Sequence, residues 1–456
     1  MSTLDSAVFF ARIACPVSVS FLAYLLWHYV SARHDNQRAQ DRVLVGIYIA
    51  SRVGLWLIFA LFLQQYVTTS DPKVTYTKML EHLLAGRIPL RDFFYHYGPL
   101  LMPTMLPFYL LVGRTLAGIS LFAIFAEAVA LLFLLKSIRL LSDHGETADP
   151  WLREALAIYL LNPATLYWTI LHGYNSIVST TYLMVAAYLL LCGHAMTGYA
   201  VGLFSAAGSS ILALLDWPAL LVVRRPRLAK LAYTFLPLLA TYLVFQMVTH
   251  KNVLFPFTFV TMSEGNLWYL LTLFSIKRPF QSLLPGNLLP LSILSSFLLV
   301  GVVYQRRRLK LGRSDFSLKA AMGISTFIMS LFFIFSLNSG NYYVPMLMLP
   351  ASLVVASKVS SRRIAVSALL TISAFCVAGD AIWISLGQPE VLARTIVSDS
   401  VGHRFLVGLL ILSSVVRIVC FAMLARWGFC QLVDSPSSSM TSLPRLCSSM
   451  TNGTSR

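Results

Sequence analysis

Charge is what this sequence has least of. Charged residues make up 12% of its 456 positions, about half the ~25% usual in soluble domains. Hydrophobic residues reach 57% and the mean hydropathy is +0.73. That balance excludes a disordered chain and a conventional soluble enzyme, and implies a protein whose solvent is mostly lipid. Cysteine is sparse as well. Cys15, Cys192, Cys376 and Cys420 lie in apolar runs, Cys430 and Cys447 lie near the end, and no CxxC occurs. A disulfide framework or a zinc site is therefore not expected. The sequence also lacks a Walker A loop, a GxSxG and an HExxH, which removes support for an ATPase, a serine hydrolase and a zinc protease. The opening MSTLDSAVFFAR lacks the basic region of a signal peptide, so the apolar run after it reads as a retained membrane helix.

What the sequence does have is long apolar runs. A bilayer-spanning helix needs about 20 mainly apolar residues. Such stretches fall near 8–30, 43–66, 114–135, 155–171, 175–192, 229–248, 287–304, 318–337, 341–357, 364–386 and 404–425. One further stretch, 198–223, carries Gly208-Ser209-Ser210 in its middle and Asp216-Trp217-Pro218 beyond. Basic residues concentrate on the cytoplasmic side of membrane proteins. Arg33, Arg38 and Arg42 mark the first inner loop, Lys136, Arg139 and Arg153 the second. RRPRLAK at 224–230, RRRLKLGR at 306–313, and Lys358, Arg362 and Arg363 mark the rest. All five clusters stay inside only if 198–223 is a broken hairpin that enters and leaves on one side. Its halves reach only about 20 Å each, so it is expected to be re-entrant.

The predicted fold is thus an all-α polytopic membrane protein with about 11 transmembrane helices plus a re-entrant hairpin. Residues 1–430 form one integral-membrane domain, N-terminus out, and the Ser-rich 431–456 is expected to be a disordered cytoplasmic tail. No repeat of 20–50 residues is visible, which weakens an inverted-repeat transporter. The net charge of +17 reads as an orientation signal, and no nucleic-acid partner follows from it. On the outer side lie two long segments, 67–113 and 249–286.

The first of these is the most informative. Val74, Met79, Leu80, Leu83 and Leu84 recur at helical spacing, with Lys73, Lys78, Glu81 and His82 on other faces. This predicts an amphipathic helix lying in the interface and ended by Gly86. An aromatic and charged turn, Arg91-Asp92-Phe93-Phe94-Tyr95-His96-Tyr97, follows, and Gly98-Pro99 opens a second apolar helix over 100–112.

At Asp71, Tyr76, Gly86-Arg87-Ile88-Pro89, Arg91-Asp92 and Tyr97-Gly98-Pro99-Leu100 the chain resembles the GT-C type of integral-membrane glycosyltransferases, in particular the mannosyltransferase-like branch that uses polyprenyl-phosphate sugars. LLNPATLYWTILHGYN at 160–175 resembles that family's P…HGQ-x-D element. The stretch 198–225 resembles its Gly-Leu…Lys…Pro element, and FIFSLNSGNYYVPMLMLP at 333–350 its late F…Y…P element. There are departures. Ser176 stands where the family has an acidic residue, the hairpin Lys falls at an uncharged residue near Ser210, and a D-x-D reads Asp71-Pro72-Lys73. With the second carboxylate gone, no bound divalent metal and no other cofactor is expected.

The resemblance implies a transferase moving a sugar from a polyprenyl-phosphate donor to a glycan, lipid or protein acceptor on the extracytoplasmic face of a bacterial inner membrane or an ER membrane. Inverting transfer needs a carboxylate to take the acceptor's proton and cations to stabilise the leaving phosphate. Asp71 is the expected base, with Asp92 as its rival. Arg91, Lys277 and Arg278 are the candidate phosphate contacts, and Tyr97, His172 and Asn175 the candidate sugar or phosphate contacts. Ionisable residues inside membranes are costly. Arg12, Arg52, Glu127, Asp216, Asp380 and Arg417 qualify, and internal pairing, such as Arg52 with Glu127, is the expected reading. A broken hairpin and buried charges also fit a transporter or lipid-linked-sugar flippase. Ser176 and the missing hairpin Lys fit a third reading, an inactive GT-C-like scaffold.

Overall fold

In the computed structural model of the chain, the described residues are 16–23, 25–27, 29, 37–64, 72–95, 97–143, 150–173, 175–223, 228–250, 318–336, 343–357, 362–385 and 401–434, with 267, 270, 296, 300 and 301. They are almost entirely helical, with no strand among them. The elements are α1 Gln37–Ile58, α2 Pro72–Leu84, α3 Leu101–Leu111, α4 Leu116–Asp143, α5 Pro150–Leu160, α6 Pro163–Leu166, α7 Ser176–Leu191 and α8 Ala195–Gly208. After these come α9 Trp217–Val223, α10 Leu228–Tyr233, α11 Leu236–Thr249, α12 Leu318–Phe335, α13 Val344–Ala356, α14 Arg362–Ser385 and α15 Val401–Asp434.

Among the described residues, four helices are long and apolar enough to cross a membrane: Ala39–Leu63, Leu116–Leu140, Lys230–Thr249 and Gly408–Gln431. The expected spans at 43–66, 114–135, 229–248 and 404–425 coincide with them. The count of about eleven is not reproduced. The expected spans 155–171 and 175–192 become a bent pair, Pro163–Leu171 and Ser176–Leu191, turning through 111°, which counts as a fifth span if taken as one. Those at 318–337, 341–357 and 364–386 appear as the shorter apolar helices Ala320–Phe335, Val344–Ala356 and Ile364–Gly379, and that at 8–30 as Pro16–Trp27. Most of 287–304, most of 249–286 and the tail beyond 434 lie outside the described residues. Helix α15 runs through Asp434, four residues into the stretch expected to be tail. The apolar surface is extensive. Leu236, Leu239, Leu243, Val244, Met247 and Val248 of α11 and Val45, Ile49, Val53 and Leu57 of α1 are exposed. In water such faces drive association, whereas in lipid they cost nothing. They point to a membrane protein.

Two devices hold the helices together. Among α1, α4, α5 and α6, Arg52 is fully enclosed and paired with Glu127, Nη2 to Oε1 at 2.9 Å and Nε to Oε2 at 3.0 Å. Its remaining protons go to Ser51 Oγ, the Leu160 carbonyl and Thr165 Oγ1 at 3.1–3.2 Å. Tyr159 Oη donates to Glu127 Oε1 at 2.8 Å. The expected internal pairing is what the structure contains.

The second device joins α12 to α15. A Cβ on Gly323 would lie 2.8 Å from the Gly428 carbonyl, and one on Gly428 would lie 2.6 Å from the Gly323 carbonyl. The backbones touch there, the close approach that small residues permit between apolar helices. Phe333 and Phe421 stack further along, centroids 4.9 Å apart. Gly428→Val is therefore expected to destabilise the chain by about 1–3 kcal/mol through overpacking, readable as a lowered unfolding temperature in detergent. An unchanged temperature would refute the crossing.

The stretch 198–223 breaks where its glycine and serines stand. Helix α8 ends at Gly208, Ser209 and Ser210 are non-helical, a 3₁₀ turn spans Ile211–Leu215, and α9 follows. Helix α9 packs back on α8: Trp217 Nε1 donates to the Tyr199 carbonyl at 3.3 Å, and a side chain on Gly202 would collide with Leu220.

Candidate active site

The loop after α2 is built by local rules. Gly86 has φ +72°, its N–H bonds the Leu83 carbonyl, and the Arg87 N–H bonds the His82 carbonyl, both at 2.9 Å. That is the Schellman arrangement, in which glycine takes the left-handed position without steric cost. The expected helix and its stop signal are both present. The chain then makes a tight turn over Ile88–Phe93. Leu90 sits at φ +61° and is bonded through its N–H to the Phe93 carbonyl at 2.9 Å.

Asp92 closes this turn. Its Oδ2 accepts the Ile88 N–H at 2.7 Å, and Arg91 donates to Oδ1 from Nε at 3.0 Å and to Oδ2 from Nη2 at 3.1 Å. The Arg91 guanidinium and then the Ile88 N–H hold the Asp92 carboxyl below its ordinary range. A depressed carboxyl stabilises its surroundings above its unfolded value, about 4, and loses that effect as pH falls through the lower folded value. At neutral pH the carboxylate is therefore charged and its contribution to the turn is fully present. Asp92→Ala is expected to speed tryptic cleavage after Arg87 and Arg91 at pH 7 while leaving the fold intact. Equal cleavage rates would show that the carboxylate does not hold the turn.

Beyond the turn the chain dives inward. Phe93, Tyr95 and Tyr97 form a relay of edge-on rings, 6.2 Å and then 6.0 Å between centroids. Tyr95 Oη donates to the Gly98 carbonyl at 2.6 Å. The Gly98 N–H bonds the Ser209 carbonyl at 2.9 Å, and the Leu100 N–H bonds the Ala207 carbonyl at 2.8 Å. The broken end of α8 thus has carbonyls satisfied by the loop, as a helix terminus requires. A side chain on Gly98 would overlap the Ala206 and Ala207 carbonyl oxygens, so only glycine fits.

A third element arrives at the same place. Asn162 caps α6, its Oδ1 accepting the Ala164 N–H at 2.9 Å, with Pro163 at the first helical position. The helix then widens into a π-turn over Tyr167–Leu171, and the His172 N–H reaches back to the Tyr167 carbonyl at 3.1 Å. Such turns recur at functional sites. Here it ends the helix at the 111° bend, which positions His172 against the rings of Tyr167 (4.5 Å) and Trp168 (4.9 Å).

Asn175, at the start of α7, is the hub. Tyr76 Oη of α2 donates to its Oδ1 at 3.3 Å, and its Nδ2 lies 3.4 Å from the Ser209 carbonyl. Ser209 Oγ donates to the Asn175 carbonyl at 3.0 Å and sits 2.8 Å from Ser179 Oγ. Tyr76 meets Tyr97 edge-on at 5.2 Å and shares a side-chain hydrogen bond with it. Burial, foremost, raises the Tyr76 phenol well above its ordinary value, with Tyr97 next and Tyr343 also contributing. Tyr343 belongs to the late F…Y…P stretch. Tyr76, Tyr97, His172, Asn175 and Ser209 are all buried.

Of the residues expected from the sequence, then, Tyr97 and Asn175 take part in one polar knot, while His172, three residues before Asn175, packs on the rings of Tyr167 and Trp168. Arg91 and Asp92 form an exposed pair in the adjoining turn. Asp71, Lys277 and Arg278 lie outside the described residues. Tyr76, Ser179 and Ser209 were not singled out as site residues, although Ser209 stands in the Gly-Ser-Ser that marks the break. Among the described residues no group of three or more His, Cys, Asp or Glu could hold a metal. The fold and this knot define a helical membrane protein with a buried polar cluster at one end of its broken hairpin. No family model matches the chain, and no curated protein does.

Proposed function

We propose that the protein is a membrane glycosyltransferase of the GT-C type, which moves a sugar from a polyprenyl-phosphate donor to a glycan, lipid or protein acceptor on the extracytoplasmic face. One observation supports this most: stretches that separately resemble GT-C elements, at 71–100, 160–175 and 198–225, are linked by hydrogen bonds through Tyr76, Asn175, Ser209 and Gly98, and Tyr343 of a fourth bears on the same tyrosine. Residues more than a hundred positions apart converge on this buried polar knot, whose groups satisfy one another as burial requires.

In this reading the protein crosses the membrane about eleven times, with the knot opening outward and 198–223 re-entrant. Asp71 directly precedes Pro72, the first residue of α2, which carries Tyr76. As general base it takes the proton from the acceptor hydroxyl while that oxygen attacks the anomeric carbon and polyprenyl phosphate departs. Both oxygens of Asp92 are occupied by its own turn, which suits a loop-closing role better than proton acceptance. Arg91, Lys277 and Arg278 neutralise the leaving phosphate. Asn175, His172 and Tyr97 orient the sugar. In a strain deleted for the gene, one polyprenyl-phosphate sugar should accumulate in the lipid extract and clear on re-expression. An unchanged profile of lipid-linked sugars would count against the reading.

A further inference from the structure

The knot does not use the carboxylate of Asp216, which lies at the junction between the 3₁₀ turn and α9. Asp216 is 2% exposed. Its Oδ1 accepts a hydrogen bond from Ser325 Oγ of α12, and its Oδ2 has no hydrogen-bond partner among the described residues. None of the ion pairs among those residues includes it. Ser210, which opens the 3₁₀ turn, and Thr326, beside Ser325, are two more buried hydroxyls without a partner among the described residues. A buried carboxylate with one bare oxygen is a costly arrangement. A cation beside it would take that oxygen as a ligand.

The chemistry of the donors selects the ion. Every donor is a hard oxygen, which suits alkali and alkaline-earth cations over transition metals. One carboxylate balances one positive charge. A divalent ion would leave a net charge in a low-dielectric interior, which is heavily penalised. The direct Ser325–Asp216 bond keeps the donors close, favouring a small ion. A helix broken within an apolar stretch is also where membrane proteins hold such ions, because irregular backbone there lines a polar site. We propose that Asp216, with the hydroxyl of Ser325, binds one sodium ion, which ties the hairpin to α12. The site is separate from the transfer reaction and stands or falls without it.

The test uses the purified full-length protein in detergent. Sodium chloride replaces choline chloride at constant ionic strength while thermal unfolding is followed. The wild-type melting temperature should rise by a few degrees and saturate, as binding to the native state alone requires. Asp216→Asn should abolish the rise. Ser325→Ala should shift its midpoint about tenfold to higher sodium, about 1.4 kcal/mol of affinity. Equilibrium binding of radioactive sodium should give one ion per wild-type chain, and this decides the matter if Asp216→Asn does not fold. The proposal is overturned if wild type responds equally to choline and sodium or binds no sodium. It is also overturned if the rise persists in Asp216→Asn, or if magnesium gives the larger effect; a simple protonated carboxyl would show the first of these outcomes.

Discussion

Glu127→Gln should unfold the protein far more readily than any surface change, at a cost of about 3–5 kcal/mol, the range seen when one member of a buried ion pair is removed. The reason is the enclosure of Arg52. Both guanidinium edges are engaged, two bonds go to Glu127, and neither side chain of the pair has any exposure. With glutamine opposite, the cation keeps its bonds to Ser51, Leu160 and Thr165 but loses the only negative charge that Arg52 faces among the described residues. Desolvation of an uncompensated charge then dominates. The double change Arg52→Met with Glu127→Met removes both charges at similar volume and should recover most of the loss, because a buried pair is weakly stabilising relative to an apolar replacement. Unfolding midpoints of the single and double variants in detergent decide this. A single variant as stable as wild type would mean that the pair is not enclosed as described.

The second large effect is on activity. Asn175→Ala removes the amide on which α2, the bend and the hairpin break converge. Its own hydrogen bonds are long, 3.3–3.5 Å, so their loss should cost only about 1 kcal/mol of stability. The Tyr76 hydroxyl retains Tyr97 as a partner. Positioning is far more sensitive. A displacement of about 1 Å at a reacting centre can cost on the order of a hundredfold in rate. Initial rates of sugar transfer should therefore fall about a hundredfold while the unfolding midpoint moves little. A variant with unaltered transfer would remove Asn175 from the site. A variant that loses stability and rate in proportion would make it a packing residue.

Much of this architecture was legible in the residues. The apolar runs mark the helices, Gly86 marks the end of α2, and Gly208-Ser209-Ser210 marks the break, because each rests on local backbone or solvation rules. The pairing of Arg52 with Glu127 was readable too, since two opposite charges in apolar helices have few alternatives. Helix length was harder to read. The single runs at 155–171 and 175–192 conceal a capped turn, a π-turn and a 111° bend, and hydropathy is blind to changes of direction. The partners in the knot were also hidden. That Gly98 would donate to Ser209, or Tyr76 to Asn175, depends on how α2 docks against the hairpin, and no periodicity encodes that. Ser325 gave no signal at all, being one hydroxyl in an apolar helix until Asp216 is packed against it.

Sugar transfer from a lipid phosphate with Asp71 as base is tested most directly by supplying the purified protein, in lipid nanodiscs, with labelled polyprenyl-phosphate hexoses and an acceptor extract, and measuring free polyprenyl phosphate. Wild type should turn over one donor, and Asp71→Asn should lose about 10²–10⁴-fold, the usual contribution of a general base, with donor binding retained. Folded wild-type protein that releases polyprenyl phosphate from no donor, or full activity in Asp71→Asn, would contradict this mechanism.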